Sequence, residues 1–185
     1  GRATVNGRPF AEHRAPLSEI GAMLDANGVH PGRPARDHLR ALAATTGIAT
    51  ARVDEVLDLV GLSDVARRRS GEFSLGMSQR LGIATALLGD PQTVMLDEPM
   101  NGLDPEGILW IRTLLQSLAA EGRTVFVSSH LMSEMALVAE HFIVIGRGRL
   151  IADLTGVEMA ALAQRLSVRV RSPHAAELYD LLVGD

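Results

Sequence analysis

The apolar run "TVMLD" at residues 93–97 ends in Asp97, and Glu98 and Pro99 follow at once. Adjacent carboxylates repel each other, and beside an apolar segment they also lose hydration. The pair is therefore expected where a cation, a phosphate or a bound water offsets that cost. An aspartate at a strand end can hold Mg²⁺ on a nucleoside triphosphate, and the next glutamate can take a proton from the attacking water. Taken alone, the pattern is more often a solvated turn.

Two further groups have side chains suited to a phosphate ligand. In "FSLGMSQR", residues 73–80, Ser74 and Gly76 stand at a predicted helix start, where a hydroxyl and backbone N–H groups can hold an anion. By itself this segment is better explained as an ordinary helix cap followed by a tolerated glycine. His130 follows the apolar run "TVFVSS", and a lone histidine there is more often a surface residue.

Hydrophobic patterning indicates the elements that must position these groups. Short continuous apolar runs predict buried strands at residues 20–24, 93–97 and 124–130. Amphipathic or apolar stretches predict helices at residues 35–46, 50–61, 74–89, 105–122 and 131–140. Such alternation indicates an α/β fold with a parallel sheet, which binds ligands outside the carboxyl ends of its strands. Asp97, Glu98 and His130 all fall at such ends.

The carboxyl-terminal part of the chain has a different pattern. Residues 141–153 predict a hairpin that turns at Arg147–Gly148. Residues 154–185 predict a short α+β extension made of a helix at 156–166, a strand at 167–172 and a helix at 174–182.

Composition bounds the class of protein. The chain has 185 residues, of which 46% are hydrophobic, which is enough for one domain with a small appendage. It has no cysteine, which excludes disulfides and thiolate metal sites. All 18 basic residues are arginine, and the net charge of −4 disfavours a nucleic-acid partner. No apolar run approaches the roughly 18 residues that a membrane-spanning helix needs.

At these residues the chain resembles the nucleotide-binding subunits of ATP-binding-cassette (ABC) proteins. In that family a signature motif, a helix, a Walker B strand with a catalytic glutamate, an aspartate-bearing D-loop and a switch histidine follow in this order. The signature here keeps Ser74 and Gly76 but not the first glycine or the glutamine. The matching positions are 73–77 for the signature, 94–97 for Walker B, Glu98, 101–104 for the D-loop, and His130.

The resemblance implies a P-loop NTPase-like parallel sheet within a partial ATP-binding domain at residues 1–153, whose helical subdomain at about 26–90 carries the signature. It implies a head-to-tail dimer, most simply a homodimer, that sandwiches two ATP molecules. Ser74 and Gly76 would then contact the γ-phosphate of the ATP held by the partner subunit.

The other matched residues would serve the subunit's own ATP. The resemblance makes Asp97 the Mg²⁺ ligand, Glu98 the catalytic base and His130 the switch. Asn101 and Asp104 of the D-loop are further predicted nucleotide-binding residues. Asp104 also precedes Pro105, so it is predicted to cap the next helix as well.

The chain departs from the family pattern in two places. The Q-loop glutamine is replaced by Asp25, which can still bind Mg²⁺ and is a second predicted ligand. The phosphate loop, Gly-x-x-x-x-Gly-Lys-Ser/Thr, is not in the sequence, since the sequence contains no lysine. Its family position lies upstream of Gly1. We therefore expect an N-terminal truncation, and we predict that the 185 residues alone bind ATP weakly at best and hydrolyse none.

The signature "SLGM", the acidic Q-loop residue and the short tail resemble exporters of the drug-resistance type. That subgroup implies an ATPase subunit that drives export of a drug, antibiotic or similar small molecule. It would bind separate transmembrane permease subunits at the cytoplasmic face of the cell membrane as a peripheral protein. Two alternatives remain open, a non-transport ABC ATPase that acts on DNA or the ribosome, and a non-enzymatic module or inactive fragment.

Overall fold

The computed structural model describes residues 3–25, 28–166, 174–175 and 177–179. The chain divides into two compact units, residues 1–132 and 133–185. The helices, α1 to α7 in chain order, are Pro16–Glu19, Ala35–Thr46, Thr50–Leu59, Leu75–Leu87, Pro105–Ala120, Met132–Met135 and Gly156–Leu166. The strands, β1 to β5, are Ile20–Met23, Thr93–Asp97, Thr124–Ser128, His141–Gly146 and Arg149–Thr155.

The first unit is built on a parallel three-stranded sheet in the order β1-β2-β3. Met23 pairs with Leu96 and Leu96 with Val127, so the three strands end at the same edge. The connections between them run through helices, as parallel pairing requires. This arrangement confirms the predicted α/β class and the predicted strands at β1, β2 and β3.

Helix α4 is the centre of the core of the first unit. Seven of its residues are buried, more than one helix face can hold, because α4 packs on β1 and β2 and also on α2 and α3. The buried residues of α4 are Gln79, Leu81, Gly82, Ile83, Ala84, Ala86 and Leu87.

Helix α4 lies very close to β1 because Gly21 has no side chain. A Cβ atom built on Gly21 would stand 1.8 Å from the carbonyl oxygen of Ala86 and 2.9 Å from Cγ of Pro91. No other residue type fits this position without moving the helix. The distance between α4 and the sheet is thus set by one glycine.

The predicted helix starts are confirmed at both positions of interest. The Ser74 hydroxyl accepts a hydrogen bond from the Met77 amide at 3.2 Å at the start of α4. The Asp104 carboxylate accepts one from the Gly107 amide at 2.8 Å at the start of α5. Each cap satisfies a backbone donor that the first helical turn leaves unpaired.

One expectation about helix ends is wrong. Residues 131–140 are predicted to form one helix, but only Met132–Met135 is helical and a turn follows. The predicted stop at Gly89 agrees with the structure, since α4 ends at Leu87, Leu88 is its C-cap and Gly89 follows the cap, although Asp90 takes the left-handed conformation, with φ 53°. Gly89 also allows a close contact, since a Cβ there would lie 2.0 Å from the Leu17 carbonyl oxygen.

Arginine side chains connect the helices of the first unit. Arg52 of α3 and Arg123 both reach the Asp90 carboxylate, at 3.2 and 2.9 Å. The Arg80 guanidinium lies 4.0 Å from the ring centre of Trp110 and donates to the Val60 carbonyl at 2.9 Å. These contacts join the ends of α3 and α4 to α5 and to the start of β3.

The second unit contains the predicted hairpin. Strands β4 and β5 are antiparallel and turn at Arg147 and Gly148, whose φ angles of 51° and 71° suit a tight hairpin. Thr155 and Glu158 then cap α7 reciprocally: the Thr155 amide donates to Glu158 Oε2 at 2.8 Å and the Glu158 amide to Thr155 Oγ1 at 3.3 Å. The bonds that the Thr155 amide and hydroxyl donate to the Glu158 carboxylate lower the pKa of Glu158.

Helix α7 matches the predicted helix at 156–166. The predicted strand at 167–172 and most of the predicted helix at 174–182 lie outside the described residues. The predicted domain boundary after residue 153 stays a prediction. Among the helices of the described residues, none is both long and apolar enough to cross a bilayer.

We expect Gly21→Ala to lower the free energy of unfolding by about 3 kcal/mol, because the added methyl group overlaps the Ala86 carbonyl and pushes α4 off β1. Gly47→Ala is the matched control. Gly47 has open space around it, so only its left-handed φ of 71° opposes a side chain, at a cost of about 1 kcal/mol. Urea denaturation measures both variants. Equal losses would contradict the claim that Gly21 sets this contact.

We also expect the stability of the fold to fall below neutral pH through His38. Its Nε2 lies 3.3 Å from Thr85 Oγ1 and its Nδ1 is buried with no partner among the described groups. Burial, helped by the charge of Arg33, lowers the pKa of His38. The unfolded chain therefore binds a proton more readily, and stability is lost as the pH falls from the ordinary pKa of about 6.5 through the lowered one.

The measurement is the free energy of unfolding at a series of pH values for the wild type and for His38→Gln. The variant keeps a donor for Thr85 but has no titrating ring, so its stability should fall less on acidification. Parallel pH profiles for the two proteins would show that His38 does not carry the effect.

Candidate functional site

The carboxyl edge of the sheet brings together the residues that the sequence singled out there. Asp97 is the last residue of β2 and stands opposite Ser128, the last residue of β3. Glu98 follows Asp97, and His130 follows two positions after Ser128. The predicted convergence of Asp97, Glu98 and His130 at one edge agrees with this placement.

A single hydroxyl serves both members of the acidic pair. Ser128 Oγ donates to Asp97 Oδ1 and accepts from the Glu98 backbone amide at 3.0 Å. The same amide lies 3.2 Å from the Ser128 carbonyl oxygen. The hydroxyl has one hydrogen and two lone pairs, so it can make both bonds at once. Ser128 therefore holds the two residues on which the predicted chemistry depends.

The Glu98 backbone turns sharply away from the strand. Its φ of 47° is left-handed, a conformation that costs about 1–2 kcal/mol for a residue with a side chain. The two bonds from its amide to Ser128 help to offset that cost, and Asn101 N closes the turn on the Glu98 carbonyl at 3.1 Å. The two carboxylates then have different partners, Ser128 for Asp97 and His130 for Glu98.

The Glu98 carboxylate meets the imidazole of His130. His130 Nδ1 lies 3.0 and 2.9 Å from Oε1 and Oε2 of Glu98. An ionised carboxylate can only accept, so Nδ1 carries the proton in this contact. Glu98 has 35% and His130 has 62% of its side chain exposed, so a ligand can reach both.

The loop after Glu98 also touches the start of α4. A Cβ on Gly102 would lie 2.2 Å from Leu75 Cδ2, and a Cβ on Gly76 would lie 3.4 Å from Leu103 Cδ2. Gln79 Nε2 adds a long hydrogen bond of 3.5 Å to the Asn101 carbonyl. The segment that carries Ser74 and Gly76 is therefore in direct contact with the acidic loop of the same chain.

Sequence reasoning missed two residues of this site. Ser128 is a polar residue at the end of an apolar strand, which is the same signal that marks Asp97. Gln79 is the only polar or charged residue of the described part of the chain that is buried as a whole, and its Oε1 has no partner there. A buried amide within an apolar helix is the signal that could have identified it.

A cation at this edge would need ligands from outside the chain. Among the residues described, no three His, Asp or Glu side chains come close enough to hold a metal ion together. Asp25 follows β1 at the same edge as Asp97, two positions beyond Met23. Mg²⁺ commonly takes one or two carboxylates and completes its shell with water and phosphate oxygens, so an exposed Asp97 carboxylate fits it.

A family model described as ABC transporter matches residues 1–101, more than half of the chain. The chain belongs to the ABC transporter family. The predicted signature at 73–77 and the predicted Walker B segment with Glu98 lie inside the matched residues, whereas most of the predicted D-loop and His130 lie beyond them. The roles given to these residues stay predictions.

Relatives in the ABC transporter family include proteins named for antibiotic transport. The chain is 41% identical over 157 residues to the bacitracin transport ATP-binding protein BcrA of Bacillus licheniformis, covering 83% of this chain and 51% of that protein. It is 35% identical over 153 residues to the lantibiotic transport ATP-binding protein SrtF of Streptococcus pyogenes, covering 83% of this chain and 66% of that protein. The chain thus spans between half and two thirds of these relatives.

A solved structure confirms the ABC fold. The model is similar to the dimeric, post-hydrolysis ATP-binding cassette MJ0796 bound to ADP and Pi, with a TM-score of 0.69. The match covers 77% of this chain and 65% of that chain at 21% identity, so it carries the fold and nothing beyond it. The predicted P-loop NTPase-like architecture is confirmed.

We expect Ser128→Ala to lower the free energy of unfolding by about 2 kcal/mol, because it removes the hydroxyl that binds the charged Asp97 carboxylate and leaves the Glu98 amide with the Ser128 carbonyl alone. Ser129→Ala is the matched control, since the Ser129 hydroxyl accepts only one bond, from Leu131 N at 3.0 Å. Urea denaturation compares the two. A larger loss in Ser129→Ala than in Ser128→Ala would refute the role given to Ser128.

Proposed function

We propose that the chain is the core of an ATP-binding and ATP-hydrolysing subunit that powers an ABC exporter of an antibiotic or similar small molecule. The observation that carries the proposal is the Glu98–His130 contact beside Asp97 at the open edge of the sheet. The names of the antibiotic-transport relatives favour an exporter. Their greater length means that the activity is proposed for the whole protein.

In this proposal Glu98 orients a water and accepts its proton as the water attacks the γ-phosphate. His130 fixes the carboxylate through Nδ1–H, which leaves other lone pairs of the Glu98 oxygens for the water and leaves Nε2 for a phosphate oxygen. Nε2 can donate to that oxygen only if the imidazole carries both protons.

Asp97 is proposed as the protein ligand of Mg²⁺. One of its oxygens is held by Ser128, which orients the carboxylate and leaves the other oxygen free to bind the ion, directly or through water. The ion would neutralise charge on the phosphates. Asp25 is proposed as a second, outer ligand at the same edge, in place of the family's glutamine.

Ser74 and Gly76 are proposed to serve a second ATP, held by a partner subunit in a head-to-tail dimer. Asn101 and Asp104 are proposed to line the nucleotide at the same interface. The loop at 98–104 contacts Leu75, the residue after Ser74, within this chain. In such a dimer, the two segments of one subunit that serve different nucleotides would therefore pack directly against each other. This contact gives the loop a means to transmit changes between them.

Separate transmembrane permease subunits are the proposed partners, with the ATPase bound at the cytoplasmic face of the cell membrane. A homodimer is the simplest assembly. Residues 1–153 are proposed as the ATP-binding domain, with a helical subdomain at about 26–90 and an extension at 154–185. No feature of the described residues favours a nucleic-acid partner, and the net charge of −4 opposes one.

The test uses a chimaera that carries, ahead of residue 1, the phosphate-loop segment that the family resemblance requires. Glu98→Gln should reduce phosphate release by at least about 100-fold while ATP binding is retained, since it removes the base but not the nucleotide contacts. Glu140→Gln makes the same chemical change at an exposed position outside the site and should leave the rate unchanged.

Two outcomes would count against the proposal. Phosphate release by Glu98→Gln at a rate close to that of the wild type would contradict the role of Glu98 as general base. ATP binding without hydrolysis in the unmutated chimaera would favour the non-enzymatic module. The 185-residue chain alone, measured in parallel, is expected to release no phosphate.

A further inference from the structure

Four arginines of the first unit line two neighbouring parts of its surface. The segment before α2 is hydrogen-bonded to the segment before α4: Arg36 N donates to the Ala66 carbonyl at 2.9 Å and Ser70 N to the Arg33 carbonyl at 3.0 Å. This pairing forms two neighbouring hollows that share Pro34 and Asp37. The arginines that line them, here called the arginine cluster, are Arg33, Arg36, Arg40 and Arg67.

Most of the charge in the arginine cluster is not neutralised within the chain. Arg36 pairs with Asp54 at 2.8 Å. No carboxylate of the described residues lies within ion-pair distance of Arg33, Arg40 or Arg67, and all three are exposed. Asp37 is the only acidic residue that lines the hollows. Three guanidinium groups and one carboxylate therefore share the surface without pairing.

The charge of the cluster is opposite to that of the rest of the molecule. The four arginines and Asp37 together carry +3, whereas the whole chain carries −4, so the remaining residues carry −7. The net charge of −7 outside the cluster disfavours an extended polyanion such as nucleic acid or an anionic bilayer. A short anionic segment that reaches the cluster would meet mainly its unpaired guanidinium groups.

The shape of the hollows also suits a short segment. Their volumes are about 300 and 420 Å³, at the lower end of the size of small-ligand pockets and large enough for side chains. Guanidinium groups bind carboxylates through two parallel hydrogen bonds, and they do so with more specificity than a single point charge. Two hollows side by side can take two acidic side chains of one peptide.

We propose that the arginine cluster is a docking site for an acidic segment of a partner protein. Arg40 and Arg67 bind one carboxylate in the hollow of about 300 Å³, and Arg33 binds another in the hollow of about 420 Å³. Asp37 sits between them and disfavours acidic side chains that bind in the wrong register. This interaction needs no nucleotide and does not rest on the proposed function.

The test measures binding of a fluorescently labelled Glu-rich peptide to the 185-residue chain by anisotropy at low ionic strength. Arg40→Gln with Arg67→Gln should weaken binding by at least about tenfold. Arg8→Gln with Arg149→Gln removes the same charge from two other exposed positions and should leave the affinity close to that of the wild type. Circular dichroism checks that both double variants are folded.

Asp37→Asn should change the peptide affinity in the opposite direction. It removes the one negative charge of the hollows and should tighten peptide binding several-fold, whereas a general loss of fold would weaken it. Equal weakening in the two double variants would overturn the proposal, because binding would then follow net charge alone. Binding to phosphatidylglycerol vesicles but not to the peptide would overturn it in favour of a membrane surface, and no binding to either would refute it.

Discussion

The site depends on hydrogen-bonding groups at the end of β3 that bind the acidic residues at the end of the neighbouring strand, β2. Asp97 and Glu98 would repel each other at the end of β2, but the Ser128 hydroxyl binds the first carboxylate and the backbone of the second residue. His130 then binds the Glu98 carboxylate. Both donors come from the end of β3, so the pairing of β2 with β3 makes the acidic pair tolerable.

The rest of the first unit supports this pairing through close contacts. Gly21 lets α4 approach β1, and Gly102 lets the loop after β2 approach the start of α4. The Ser74 and Asp104 caps fix where α4 and α5 begin, on either side of that loop. The acidic edge and the predicted signature are therefore held at a fixed spacing by packing rather than by any charged contact.

Much of this was predictable from sequence because the patterns are local. The run "TVMLD" has no helical period, and Ser74, Asp104 and Pro105 are strong local helix-start signals. The predicted helix at 131–140 is wrong because its apolar spacing fits a helix, whereas the chain must turn after Met135 to begin β4 at His141. Ser128 and Gln79 were missed because their importance comes from partners in distant segments, which periodicity does not reveal.

The register of β2 against β3 has one more consequence. If β3 slipped by one residue, Val127 or Ser129 would face Asp97, and every side chain of the strand would change to the other face of the sheet. A valine offers no hydroxyl to the carboxylate, and His130 would shift relative to Glu98. The arrangement of these side chains at the edge of the sheet thus depends on the correct register of β3 against β2. Any ligand that binds these side chains together would stabilise that alignment over its neighbours, so substrate and sheet would reinforce each other.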